Sequence, residues 1–99
     1  MAVAAGALLT PSTRTPRVGV GFSLRTAVTP AQVAPLRLEQ SVAGGAWTQV
    51  QTASTASTGV WTFPVVRMTT GPVSYRVVVA ATVKNGTVTS PATAVTVGP

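Results

Sequence analysis

The stretch VSYRVVVAATVKNGTVTSPATAVTV, Val73 to Val97, decides the fold of this 99-residue chain. Val73, Tyr75, Val77, Val79, Ala81 and Val83 recur at every second position, the period of a strand with one buried face. Asn85-Gly86 follows, and both residues tolerate the positive φ of a tight two-residue turn, so the stretch reads as a β-hairpin. A two-residue turn there pairs Val83 with Val88, Ala81 with Ser90 and Val77 with Ala94. That register turns Val95 and Val97 away from the core. One extra residue near Ser90-Pro91 restores them, and Pro91 has no N–H to give a regular ladder. A β-bulge is therefore expected at Ser90-Pro91.

The same alternation runs upstream. In Arg17 to Val28, Val18, Val20, Phe22, Leu24 and Val28 share one parity, opposite Arg17, Gly19, Gly21, Ser23, Arg25 and Ala27. Thr29 to Pro35 is a connection. Pro35 to Val42 places Leu36, Leu38 and Val42 on one face and Arg37, Glu39 and Ser41 on the other. Gly44-Gly45 marks a turn before a short strand, Ala46 to Thr52, that carries Trp47. Gln51 to Thr58 (QTASTAST) is small, polar and repetitive and reads as a mobile loop. Gly59 to Val66 alternates again, with Trp61, Phe63 and Val65 together, which assigns Trp61 to the core, and Pro64 makes the strand edge-like. Thr70-Gly71-Pro72 reads as a turn. At the start, Met1–Pro16 is apolar and then rich in Pro, Ser and Thr. It reads as an assembly arm able to add a strand to a neighbour's edge, or as the first strand of the same domain. No helical periodicity is present. The expectation is an all-β chain: one antiparallel β-sandwich of about seven strands over residues 17–99, without a disulfide.

Composition limits the chemistry. There is no His and no Cys; Glu39 is the only carboxylate side chain, Lys84 the only lysine and Tyr75 the only tyrosine. A lone carboxylate makes no acid–base dyad, and no zinc or calcium ligand set can be assembled. A non-enzymatic module without cofactor or metal is expected. The formal net charge is +6, but charged residues make up only 8% of the chain, against about 25% in ordinary soluble domains. The basicity comes from missing acids. The cations Arg14, Arg17, Arg25, Arg37, Arg67, Arg76 and Lys84 form no run and have no interleaved aromatics, which argues against nucleic acid. Attraction to acidic surfaces is the softer expectation. No apolar run approaches the ~20 residues of a membrane helix. Met1–Leu9 lacks a basic flank and is too short for a secretory signal, so the chain is expected either to be made without one or to have lost one.

Three pieces carry a resemblance: GGAWTQV at Gly44–Val50, TGVWTF at Thr58–Phe63 and GPVSYRVVV at Gly71–Val79. With them the chain from Val18 to Val97 resembles the immunoglobulin-like and fibronectin-type-III-like modules of bacterial surface proteins and tailed-phage structural proteins. The Cys pair of antibody domains and the Trp between them are absent. The resemblance implies that Tyr75 forms a tyrosine corner, its hydroxyl turned to backbone near Thr69 to Gly71. It also implies a spacer, adhesion or assembly role, an inference from fold by analogy.

Five residues are candidates for contact. Arg17, Arg25, Arg37 and Arg76 point away from the expected core, toward an acidic partner or simply toward solvent, with Arg37 placed to pair with Glu39. Trp47, beside the Gly-Gly turn, is a rim contact or edge packing. Tyr75, Asn85, Gly86 and Pro91 are structural. Asn85-Gly86-Thr87 also matches the glycosylation sequon, but the turn already accounts for it. With few charges to guard its edges, the chain reads as a virion protein that decorates or cements a phage capsid or tail, docked on a repeated acidic or apolar lattice. The alternative edge protection is bulges and prolines alone. The alternative function is a spacer or glycan-binding module of a bacterial secreted or cell-surface protein.

Overall fold

The computed structural model describes residues 6–29, 33–80 and 88–99. Among these residues eight strands form two antiparallel sheets: β1 (Gly6–Pro11), β2 (Phe22–Thr29), β3 (Pro35–Val42), β4 (Thr48–Ser54), β5 (Val60–Val65), β6 (Gly71–Val79), β7 (Val88–Thr89) and β8 (Thr93–Val97). One sheet has the order β1-β2-β5. The other runs β4-β3-β6, with β7 and β8 both paired to β6. Leu9, Leu24 and Phe63 from the first sheet meet Leu36, Leu38, Tyr75, Val77, Val95 and Val97 from the second. Each lies at the inward position of its strand, which is the physical content of the alternation.

The last strand is broken where its parity demanded. Val78 pairs with Thr89 and Val79 with Val88, whereas Tyr75 pairs with Thr93 and Val73 with Val95. Between the two ladders β6 advances by three residues and its partner by four, so one residue is extra. Ser90 N–H donates to the Val77 carbonyl at 2.9 Å, and Val77 N–H donates back to Ser90 Oγ at 2.9 Å. The hydroxyl stands in for a ladder carbonyl, Pro91 needs no acceptor, and Val95 and Val97 turn inward and are buried. The register beyond it differs from a two-residue turn at Asn85-Gly86, because Val79, not Val83, lies opposite Val88. The turn itself falls outside the described residues.

Several expectations are corrected. For residues 6–16 the second of the two readings holds, a first strand of the same domain and not an assembly arm. Gly6–Pro11 pairs with β2 in the sandwich, and the chain then crosses to the other sheet. There Thr96 N–H donates to Arg14 O, Gly98 N–H to Pro16 O and Val18 N–H to Gly98 O, at 2.8–2.9 Å, around a parallel bridge between Arg17 and Gly98. The strand expected from Arg17 starts only at Phe22, and Val20 is 56% exposed in the preceding turn. Gln51 to Ser54 is strand rather than loop, and Thr55 is buried, its Oγ1 accepting Ala34 N–H at 2.8 Å. Val42 keeps the inward parity of Leu36 and Leu38, opposite Val73, but is 45% exposed where the strand ends and the chain turns at Ala43 (φ 51°); Ser41, on the other face, is buried, its Oγ donating to Gly45 O. Gly71, expected in a turn, opens β6 at φ 121°, which suits glycine. Trp61 has the core parity but is 41% exposed. Parity sets the direction of a side chain, yet β5 is an edge strand with a neighbour on one side only.

The sheet edges are closed without charge. Val28 N–H donates to Gly59 O, so Val60, Thr62 and Pro64 turn their backbone away from β2. Ala56 N–H takes the Val60 carbonyl at 3.3 Å, Gln51 Nε2 takes the Pro64 carbonyl at 2.6 Å, and Pro64 has no N–H. On β1, Thr93 Oγ1 donates to the Leu9 carbonyl at 2.9 Å. On β4 the register shifts between Leu38 and Glu39, with Val50 as the extra residue. On β8 the segment Arg14–Val18 lies alongside.

Candidate functional site

The outward face of the five-stranded sheet holds the chain's one side-chain carboxylate and the two arginines paired with it. β3 and β6 pair so that Arg37 lies opposite Val78 and Glu39 opposite Arg76. β4 places Thr52 beside Arg37 and Gln49 beside Glu39. Glu39 sits between two guanidiniums: Arg76 Nε donates to its Oε1 at 2.7 Å and Arg37 Nε to its Oε2 at 3.1 Å. Arg76 in turn lies 4.3 Å above the ring centroid of Trp47, a cation–π stack. The Arg76 hydrogen bond holds the Glu39 carboxyl below its ordinary value; partial burial opposes it, and the charges of Arg76 and Arg37 reinforce it.

Each guanidinium spends its Nε on Glu39, so its terminal nitrogens point onward as a planar fork for an acceptor. Glu39 is only 12% exposed, while the Arg37 side chain is 47% exposed. The group therefore carries one net positive charge and presents it through Arg37. Beside it lies a groove of about 370 Å³ lined by Pro35, Arg37, Gln49, Thr52, Val78 and Ala80.

Of the residues expected to make contacts, Arg37, Arg76 and Trp47 come together here. Arg25 does not: it pairs between Thr10 and Thr62 on the outer face of the opposite sheet. Arg17 lies beside Gly98 at the end of the sandwich. The pairing of Arg37 with Glu39 was readable from their spacing. The part of Arg76 was not, because its neighbours Glu39 and Trp47 lie 37 and 29 positions away in sequence. Asn85 and Gly86 lie outside the described residues.

Tyr75 corrects the expected tyrosine corner. Its ring is fully buried and meets Phe22 edge to face, with centroids 6.2 Å apart. Its hydroxyl has no hydrogen-bond partner among the described residues, and burial raises its pKa while the charge of Arg67 opposes the rise. Arg67 instead reaches Gln40 Oε1 and Thr69 Oγ1, both at 3.3 Å. The ring was legible as core from parity; the hydroxyl's lack of a partner was not.

No protein-family model matches the chain, and no curated protein matches it. Solved structures do. A chain from a structure on T cell specificity and activation by the bacterial superantigen toxic shock syndrome toxin-1 superposes with a TM-score of 0.66 at 11% identity, over 94% of this chain and 100% of that one. The CARDB domain of a Pyrococcus furiosus protein, solved in complex with di-metal ions, superposes with a TM-score of 0.52 at 13% identity, over 96% of this chain and 88% of that one. At such identities the likeness is one of fold: an all-β, immunoglobulin-like sandwich of two antiparallel sheets.

Proposed function

We propose that this chain is a non-enzymatic docking module, and that its setting is a virus particle, where it decorates or cements a tailed-phage capsid or tail. The observation that carries the docking reading is the outward sheet face. The only carboxylate side chain is spent on fixing two guanidiniums, one of them stacked on Trp47. A carboxylate held ionised between two arginines is a poor general base, whereas an immobilised guanidinium fork suits recognition. The di-metal complex of the CARDB domain gives this chain no site by analogy, since it has one side-chain carboxylate and neither His nor Cys. The phage setting rests on the sequence resemblance and on the exposed apolar side chains: Leu8, Val66 and Met68 are 58%, 55% and 72% exposed, surface that contact with a lattice would cover.

Mass spectrometry of purified particles and of culture supernatant tests the setting. An intact chain in the particles supports it. Recovery only as part of a longer secreted protein replaces it with a spacer or adhesion module of a bacterial surface protein. In that reading Trp47 offers one ring face to a glycan, the other being taken by Arg76.

A further inference from the structure

We propose that the groove beside Arg37 docks an acidic, aliphatic segment of a protein partner, whose carboxylate engages the Arg37 fork while a neighbouring apolar side chain covers Pro35 and Ala80. The inference rests on the docking reading above and names its surface and the chemistry of its partner.

The argument is one of charge and shape. Arg37 is tethered through Nε to Glu39, so its guanidinium plane is set before a partner arrives, which lowers the ordering cost of binding. Its terminal nitrogens have no partner among the described residues, and its side chain is half exposed. Across the strand pair lies Val78. Ala80 follows two residues on and anchors its backbone N–H on the Pro35 carbonyl at 3.0 Å. An apolar floor with a cationic fork at its rim selects a ligand of matching kind: an aliphatic side chain one or two residues from a carboxylate. Gln49 and Thr52 add amide and hydroxyl groups to the lining.

A diffuse polyanion fits poorly. Glu39 stands in the middle of the cluster, and Arg17 and Arg25 lie elsewhere on the molecule, so among the described residues no dense cationic patch faces one way. The larger groove, about 590 Å³ beside Gly21, Pro64 and Val66 on the other sheet, has no cation in its lining. It offers nothing to choose a partner by.

The test is a titration of the ¹⁵N-labelled chain with the peptide acetyl-Leu-Glu-Val-Glu-amide, with acetyl-Leu-Gln-Val-Gln-amide as control. The expected result is saturable amide shifts at Arg37, Thr52, Val78 and Ala80, with a Kd of about 1 mM and a much weaker response to the control. Arg37→Gln is expected to weaken binding about fivefold. Glu39→Gln is expected to tighten it, because it removes a like charge next to the incoming carboxylate. Ala80→Glu, at an exposed position, is expected to abolish the shifts with spectral dispersion intact. Equal response to both peptides overturns the proposal, as do shifts centred on Gly21 and Val66, or binding to phosphatidylglycerol vesicles or a polyanion that Arg37→Gln leaves unchanged. If the chain is a particle component but Arg37→Gln and Ala80→Glu incorporate at wild-type level, this surface falls and the docking module stands. If the peptide binds here and particles lack the chain, the phage setting falls and the surface stands.

Discussion

Tyr75 shows how one atom separates a family expectation from this chain. A tyrosine corner would make the hydroxyl a stabilising hydrogen bond; here it is buried with no described partner. An unsatisfied buried hydroxyl costs about 1–3 kcal/mol, so Tyr75→Phe is expected to leave stability unchanged or raise it by about 1 kcal/mol in urea unfolding at pH 7. A loss of more than about 1 kcal/mol would show that the hydroxyl is bonded in solution. The same group predicts alkaline behaviour. Its folded pKa is raised above the ordinary 10.0 by burial, so the unfolded chain ionises first. The folded state is at full strength below pH 10 and loses stability as pH rises above it. The Phe variant is expected to lack this tyrosine component in a stability profile taken from pH 8 upward. Thr93 makes the opposite case. Its hydroxyl is bonded to the Leu9 carbonyl, and Thr93→Val, which keeps the shape, is expected to cost about 1 kcal/mol in the same measurement.

At the scale of elements, the broken β7–β8 strand is where local sequence and global packing meet. Ser90 and Pro91 sit where one residue must be extra, and Ser90 Oγ takes the Val77 N–H that the interrupted ladder would leave bare. Deleting Pro91 makes the strand regular and turns Val95 and Val97 outward. Fully burying a valine is worth about 1.5–3 kcal/mol, so the deletion is expected to remove about 3–6 kcal/mol. That is enough to leave a small domain largely unfolded by circular dichroism at 25 °C; a native, cooperative melt would overturn the reading of Ser90-Pro91 as a bulge. The other edges follow the same economy. Pro64, the Gln51 amide, the Thr93 hydroxyl, the Val50 bulge and the segment Arg14–Val18 do what charges do elsewhere. Scarcity of edge charges is therefore not itself a sign that this chain lives docked. The docking reading stands on the polar sheet face.

For the whole molecule, one carboxylate side chain means one acid-titrating side chain. Glu39 has its folded pKa held below the ordinary 4.5 by Arg76 and Arg37. Its contribution is present above that value and is lost as pH falls through the folded pKa. Stability is expected to be nearly flat from about pH 7 to 5 and then to fall by about 1 kcal/mol in more acid solution. Glu39→Gln is expected to remove that step. A steep loss between pH 7 and 5 would contradict it, because no histidine is present to titrate there.

Much of the fold was legible in the residues themselves. Strand period is a local property, so the inward faces of β2, β3, β6 and β8 could be read from Leu24, Leu38, Val77 and Val95, and even the extra residue at Ser90-Pro91 followed from parity. The pairing of Arg37 with Glu39 was equally local. Residues that depend on what lies opposite them were not legible. Trp61 and Val20 have core parity but lie at an edge and in a turn, and the Tyr75 hydroxyl meets no described acceptor. Arg76, Glu39 and Trp47 become neighbours only when β6 lies beside β3. The sequence by itself determined the chemistry available and which way each strand faces, because composition and side-chain alternation do not depend on distant partners. Only the tertiary structure decided where strands end, how edges are closed and that Arg76 joins Arg37 on Glu39, because each of those depends on a contact between residues far apart in the chain.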